Sequence, residues 1–281
     1  MSEALPVSNA PDPDALVSST TKATVTIPAR FARPLEVGPG LVAAAVELGA
    51  SATGFAMHAE HTLAQQVKSE AQLENTPQVY IGGMPYLGAA VLPDHEIPLM
   101  EVNALDIEVP RLGLVNASTT LRDVQVTSEQ LFSGIFTGAK VSTWSRAISV
   151  DAVSLGRLMG INDLQIANPK NISPTSGTSA EAVLEGTLPG DEESTSVEVA
   201  LRLIDEKFIM TPVNPENDKV AQAFSYSLDT RQLPLSAQAT AVRLQGGSIT
   251  FETQHRNTTL EVSQLSPVEI DGRYDSEGRE N

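Results

Sequence analysis

The stretch Thr195–Ile204, TSVEVALRLI, decides the fold class. Val197, Val199, Leu201 and Leu203 fall on one side of an extended chain, and Glu198 and Arg202 on the other. A period of two over this length is the mark of a half-buried antiparallel strand, because successive side chains of an extended backbone point to opposite faces. The Asp205-Glu206 pair then predicts a turn, and EKFIMTPV a returning strand.

Working outward, the same texture fills most of the chain after Thr76. Ala180–Leu188 (AEAVLEGTL) and Thr119–Thr127 (TTLRDVQVT) alternate. Glu101–Val109 (EVNALDIEV) alternates too, but its apolar phase shifts at Leu105 and Ile107. ATAVRLQGGSITFETQ predicts two strands joined at Gly246-Gly247, and TTLEVSQL a further strand. Two short helices interrupt the strands. Thr127–Phe136 opens on Thr or Ser caps with an acid in its first turn. Ser149–Gly160 opens on Ser149 or Asp151 and stops at Gly160. Aromatics make up only 4% of the residues, so the core must be aliphatic, which suits ladders of Val, Leu and Ile.

Upstream, Val37–Gln72 is rich in Ala and Leu and lacks proline after Pro39, which predicts one long helix. Its first part, 38–57, has nearly the length of a membrane span, with Arg30 and Arg33 before it. Glu47 sits in the middle, at about 2.5–3.5 kcal/mol on insertion scales. A degenerate anchor and a soluble amphipathic helix both remain open. Residues 1–36, rich in Ser, Pro and Asp, predict a disordered tail, 73–265 a β-rich domain, and 266–281 an acidic frayed tail.

Composition removes several function classes. A net charge of −17 repels the phosphate backbone, which argues against a nucleic-acid partner. The absence of cysteine excludes thiolate metal sites, disulfides and a cysteine nucleophile, while fitting either cytoplasm or envelope. No Walker-type phosphate loop, G-x-S-x-G elbow or H-E-x-x-H motif occurs. His58 and His61 share a helix face and could meet one ion, but no third ligand cluster accompanies them, so the reading assigns no metal, no cofactor and no catalytic residue. Aliphatic surface in excess of visible chemistry is left. It fits an apolar groove for lipid tails as well as an ordinary closed core.

Thr76–Pro93, TPQVYIGGMPYLGAAVLP, carries a more specific signal. Pro77, Val79, Ile81, Gly83, Pro85, Tyr86 and Leu87 follow the spacing P-x-V-x-I-x-G-x-P-[FY]-L. With the LRDVQV strand (Leu121–Val126), the SVDAVSLGRLMG helix and the late Leu233-Pro234-Leu235, this order resembles the LmeA-like family of actinobacterial envelope phospholipid-binding proteins, over about Val37 to Leu265. The resemblance implies an α+β fold: a long curved antiparallel sheet wrapped around the N-terminal helix with two short helices, as in tubular lipid-binding domains. It also implies a non-enzymatic phospholipid-binding protein at the outer face of the plasma membrane, anchored or peripheral, in lipid transport or lipoglycan and mannan assembly. Expected partners are phospholipid, the membrane surface and an envelope protein. The expected tail contacts are Val79, Ile81, Met84, Tyr86 and Leu87, with Leu131, Phe132, Ile135 and Phe136 from the first short helix. A scaffold of an envelope complex without lipid cargo is the alternative.

Overall fold

A computed structural model describes residues 38–83, 94–109, 112–170 and 177–269, with the side chains of the first helix from Gly54 onward. Two compact units, Met1–Ala43 and Ala44–Asn281, divide the chain, and the sheets, cores and cavities discussed below lie in the second.

Helix α1 runs Gly38–Glu70. It is followed by β1 (Gln78–Ile81), β2 (Asp94–Val109), β3 (Gly113–Thr127), α2 (Ser128–Ser133), β4 (Lys140–Asp151), α3 (Ala152–Met159), β5 (Gln165–Ala167), β6 (Ser179–Thr187), β7 (Ser194–Ile204), β8 (Lys207–Pro212), α4 (Asp218–Ala223), β9 (Tyr226–Asp229), β10 (Ala241–Gln245), β11 (Ser248–Thr259) and α5 (Val262–Leu265). The fold is α+β with antiparallel pairing throughout. The described strands form two sheets: a six-stranded one ordered β1-β2-β3-β4-β11-β10, called sheet A, and a five-stranded one ordered β5-β6-β7-β8-β9, called sheet B. One long sheet was the expectation. The chain breaks it at α3, whose Asp151 cap turns the backbone out of β4 and into the start of sheet B. Among the described residues, no helix is long and apolar enough to cross a membrane.

The alternation read in Thr195–Ile204 is realised in β7, where Val197, Val199, Leu201 and Leu203 are buried and Glu198 and Arg202 exposed. Two cores result. One lies between sheet B and the far half of sheet A, where Leu201, Phe208 and Met210 meet Ile148, Val242 and Phe251; the rings of Phe208 and Phe251 pack edge to face at 4.9 Å. The other lies on the same face of sheet A further along. There Ala59, Leu63 and Val67 of α1 pack on Ile97, Met100, Leu121 and Trp144.

The rest of that face is covered by the chain after β11. TTLEVSQL does not continue as a strand. Glu261 and Gln264 form a reciprocal capping box, which folds Val262–Leu265 into helix α5. The packed chain also runs past Leu265 to Glu269, because buried donors hold it. Thr119 Oγ1 and Arg146 Nε both donate to the Ser266 carbonyl, at 2.7 and 3.1 Å. Trp144 Nε1 donates to the Gln264 carbonyl at 2.7 Å. We call Glu261–Glu269 the strap.

Candidate functional site

A cavity of about 360 Å³ opens where the two cores meet. Its walls come from the chain leaving α1 (71–76), the far end of β2 (104–109), Leu114 of β3, Pro234, and the strap residues Val268 and Glu269. Leu73 belongs to the margin of both cores, so the cavity lies on the seam between them.

The phase shift read in EVNALDIEV shapes this site. β2 and β3 lose register between Ala104 and Ile107, and Asp106 adopts φ +54° with its N–H donating to Asn116 Oδ1 at 3.2 Å. A bulge re-aims the side chains on either side of it. Here Leu105 is turned out to 53% exposure while Ala104 and Val109 stay buried. Leu105 and Leu114, both exposed, form apolar lips, and Leu73, Ile107, Val109 and Val268 form the floor. Glu74, Asp106 and Glu108 stand at the margin, and Glu269 is held by Arg146 Nη1 at 3.2 Å.

This chemistry has a direction. An apolar floor rewards burial of methylenes, each contributing roughly 0.8 kcal/mol, while carboxylates at the margin repel phosphate. The cavity therefore suits the hydrocarbon part of an amphiphile, with any anionic group kept outside. Its volume sits near the lower end of the roughly 300–1,000 Å³ usual for small-molecule sites, which is room for part of a two-chain lipid.

Of the residues expected as tail contacts, the described ones do not line this cavity. Ile81, Leu131 and Phe136 are buried in the core under α1, with Val79 half-buried at its margin, so they fill a closed core. Phe132 and Ile135 are exposed, and the Phe132 ring meets that of Phe55. Met84, Tyr86 and Leu87 lie outside the described residues. The cavity residues Leu73, Leu105, Leu114 and Val268 were not foreseen, although the phase shift at Leu105 marked the bulge that makes the lips.

A second hollow, about 750 Å³, lies on the opposite face of sheet A, lined by Ser118, Thr120, Ser145, Ser149 and Thr250 with Arg122 and Glu252. It is the solvated face of an antiparallel sheet and offers no apolar floor. His58 and His61 are exposed on α1, and Glu60 between them accepts the Ile81 N–H at 2.9 Å. Among the described residues, no group of three His, Cys, Asp or Glu is placed to hold a metal ion.

The profile of the LmeA-like phospholipid-binding family matches residues 50–254. The chain belongs to that family. The matched LmeA-like region begins within α1, takes in sheet B and ends within β11 of sheet A; the strap lies beyond it. No curated protein and no solved structure matches the chain.

Proposed function

We propose that this LmeA-like protein is a non-enzymatic phospholipid-binding protein of the bacterial cell envelope. It works at the outer face of the plasma membrane, in lipid transport or lipoglycan and mannan assembly. In this reading the seam cavity takes acyl chain between Leu105 and Leu114, and the phosphate stays in solvent, clear of the carboxylates at the margin. The observation that carries it is the coincidence of family membership with one cavity having an apolar floor, exposed apolar lips and a carboxylate margin.

The test is mass spectrometry of organic extracts from the purified protein. Phospholipid should co-purify with the wild type and fall at least severalfold in Leu105→Asp/Leu114→Asp. Both side chains are already exposed, so the variant should fold. Absence of phospholipid from the wild type, together with no uptake from vesicles, overturns the reading. Cargo unchanged in the double variant moves the site away from the cavity.

A further inference from the structure

Phe55 of α1 and Phe132 of α2 meet edge to face, with ring centroids 5.0 Å apart. They are 46% and 39% exposed, and Ile135, just beyond α2, is 51% exposed. The Phe55-Phe132 pair and Ile135, which follows the Gly134 cap of α2, are together called the knob. From Phe55 to the end of α1 at Glu70, beside the seam cavity, is about 22 Å at about 1.5 Å per residue.

The knob is rigidly built. Thr127 and Gln130 cap α2 reciprocally: Gln130 N–H donates to Thr127 Oγ1 at 3.3 Å, and Thr127 N–H to Gln130 Oε1 at 2.9 Å. Gly134 ends the helix at φ +70°. A Cβ there would lie 3.2–3.3 Å from Thr62 and Ala59, so the turn is pressed against α1. Leu131 and Phe136, fully buried, pin the segment from below and leave Phe132 and Ile135 facing outward.

We propose that this knob docks the protein on the surface of an electrically neutral phospholipid bilayer, inserting Phe55, Phe132 and Ile135 among the lipids. The proposal rests on the phospholipid reading above and adds the surface by which the membrane is met. Two arguments select the occupant. The exposed apolar area is on the order of 250 Å², far below the roughly 800 Å² per partner of a stable protein interface, whereas a fluid bilayer needs no complementary shape. The chain's net charge of −17 opposes an anionic surface and leaves apolar insertion as the driving force.

The experiment is co-sedimentation of the full chain with phosphatidylcholine vesicles at low and high salt. Ile135→Asp and Phe55→Ser are compared with wild type and with Ile204→Asp, an exposed apolar position at the end of β7 in sheet B. Wild type and Ile204→Asp should bind equally at both salt concentrations, and the two knob variants should bind about tenfold more weakly or less. Equal binding by Ile135→Asp and Phe55→Ser overturns the proposal, as does binding that requires anionic lipid and vanishes in salt. Self-association abolished by Ile135→Asp, without vesicle binding, assigns the knob to a second copy and also overturns it. Phospholipid analysis of the same preparations separates the two claims. Knob variants that keep cargo but lose vesicles support docking, and a wild type that binds vesicles but never carries phospholipid defeats the cargo reading alone.

Discussion

Arg146→Met tests whether the strap is held by the buried arginine. Arg146 has 2% of its side chain exposed and Glu269 8%. Its guanidinium donates to the Ser266 and Ser263 carbonyls at 3.1 and 2.8 Å and to Glu269 Oε2 at 3.2 Å, and lies 5.1 Å from the centre of the Trp144 ring. Methionine keeps much of the stem's volume, so the variant removes charge and donors without opening a large cavity. It leaves the Glu269 carboxylate buried without its cation, and one-sided removal of a buried pair costs about 3–5 kcal/mol. For a domain of this size, 1 kcal/mol shifts Tm by roughly 2–4 °C, so the variant should melt about 6–20 °C lower. Thermal unfolding followed by circular dichroism measures this. Limited proteolysis should show early cleavage after β11. Arg146→Lys, which keeps the charge and loses the fork, should fall between. Arg146→Met/Glu269→Gln should recover part of the loss by removing the stranded charge. A Tm within about 4 °C of wild type for Arg146→Met, roughly 1 kcal/mol, would refute the reasoning.

Three further outcomes are expected. Gly156→Ala sits inside α3, where alanine normally gains about 1 kcal/mol, but its Cβ would lie 2.3 Å from the Ile161 carbonyl, so chemical denaturation should show a loss of about 1–3 kcal/mol; Gly54→Ala in α1, with open space, should show the ordinary gain. Thr253→Val should match or exceed wild type in denaturant midpoint, because the Thr253 hydroxyl is buried without a hydrogen-bond partner and its removal relieves an unsatisfied group. Asp163 accepts from the Thr187 N–H and hydroxyl, which hold its carboxyl below its ordinary value of 3.8. A depressed pKa gives stability that is present above the unfolded value and lost as pH falls through the folded one. The wild-type advantage over Asp163→Asn should therefore shrink below about pH 4 in acid-unfolding titrations.

The strands were legible where one face is buried and the other wet. In Thr195–Ile204 the apolar and charged residues separate cleanly, and β7 buries the apolar set. In EVNALDIEV even the bulge left a trace, because Leu105 and Ile107 step out of phase. Local rules were less decisive in TTLEVSQL: it carries alternation and also a Glu261–Gln264 cap, and the cap prevailed because Trp144 holds the Gln264 carbonyl within the helix and Thr119 the Ser266 carbonyl just after it. Arg146 gave no sign of being buried. On a strand it reads as a solvated charge, and its partner Glu269 is 123 residues away. The seam cavity was hidden for the same reason, being assembled from 71–76, 104–109 and 268–269, which become neighbours only when both cores close. The expected tail contacts at Leu131 and Phe136 were apolar residues that the helix α1 covers, which periodicity does not distinguish from a groove.

The strap gives the molecule a direction in time. Ser266 reaches Thr119 across 147 positions, and Gln264 reaches Trp144 across 120. Ribosomes deliver residues in order, so β3 and β4 are synthesised well before their covering segment. Until Glu261–Glu269 arrives, Trp144 and Arg146 face water, and the seam lacks the wall supplied by Val268 and Glu269. Completion of the fold is therefore tied to completion of this stretch: a product halted before Ser263 holds every strand of both sheets and still lacks the carbonyls that seat the buried arginine. In a cell that leaves a near-complete polypeptide with an open flank, the kind of species that chaperones and proteases act on.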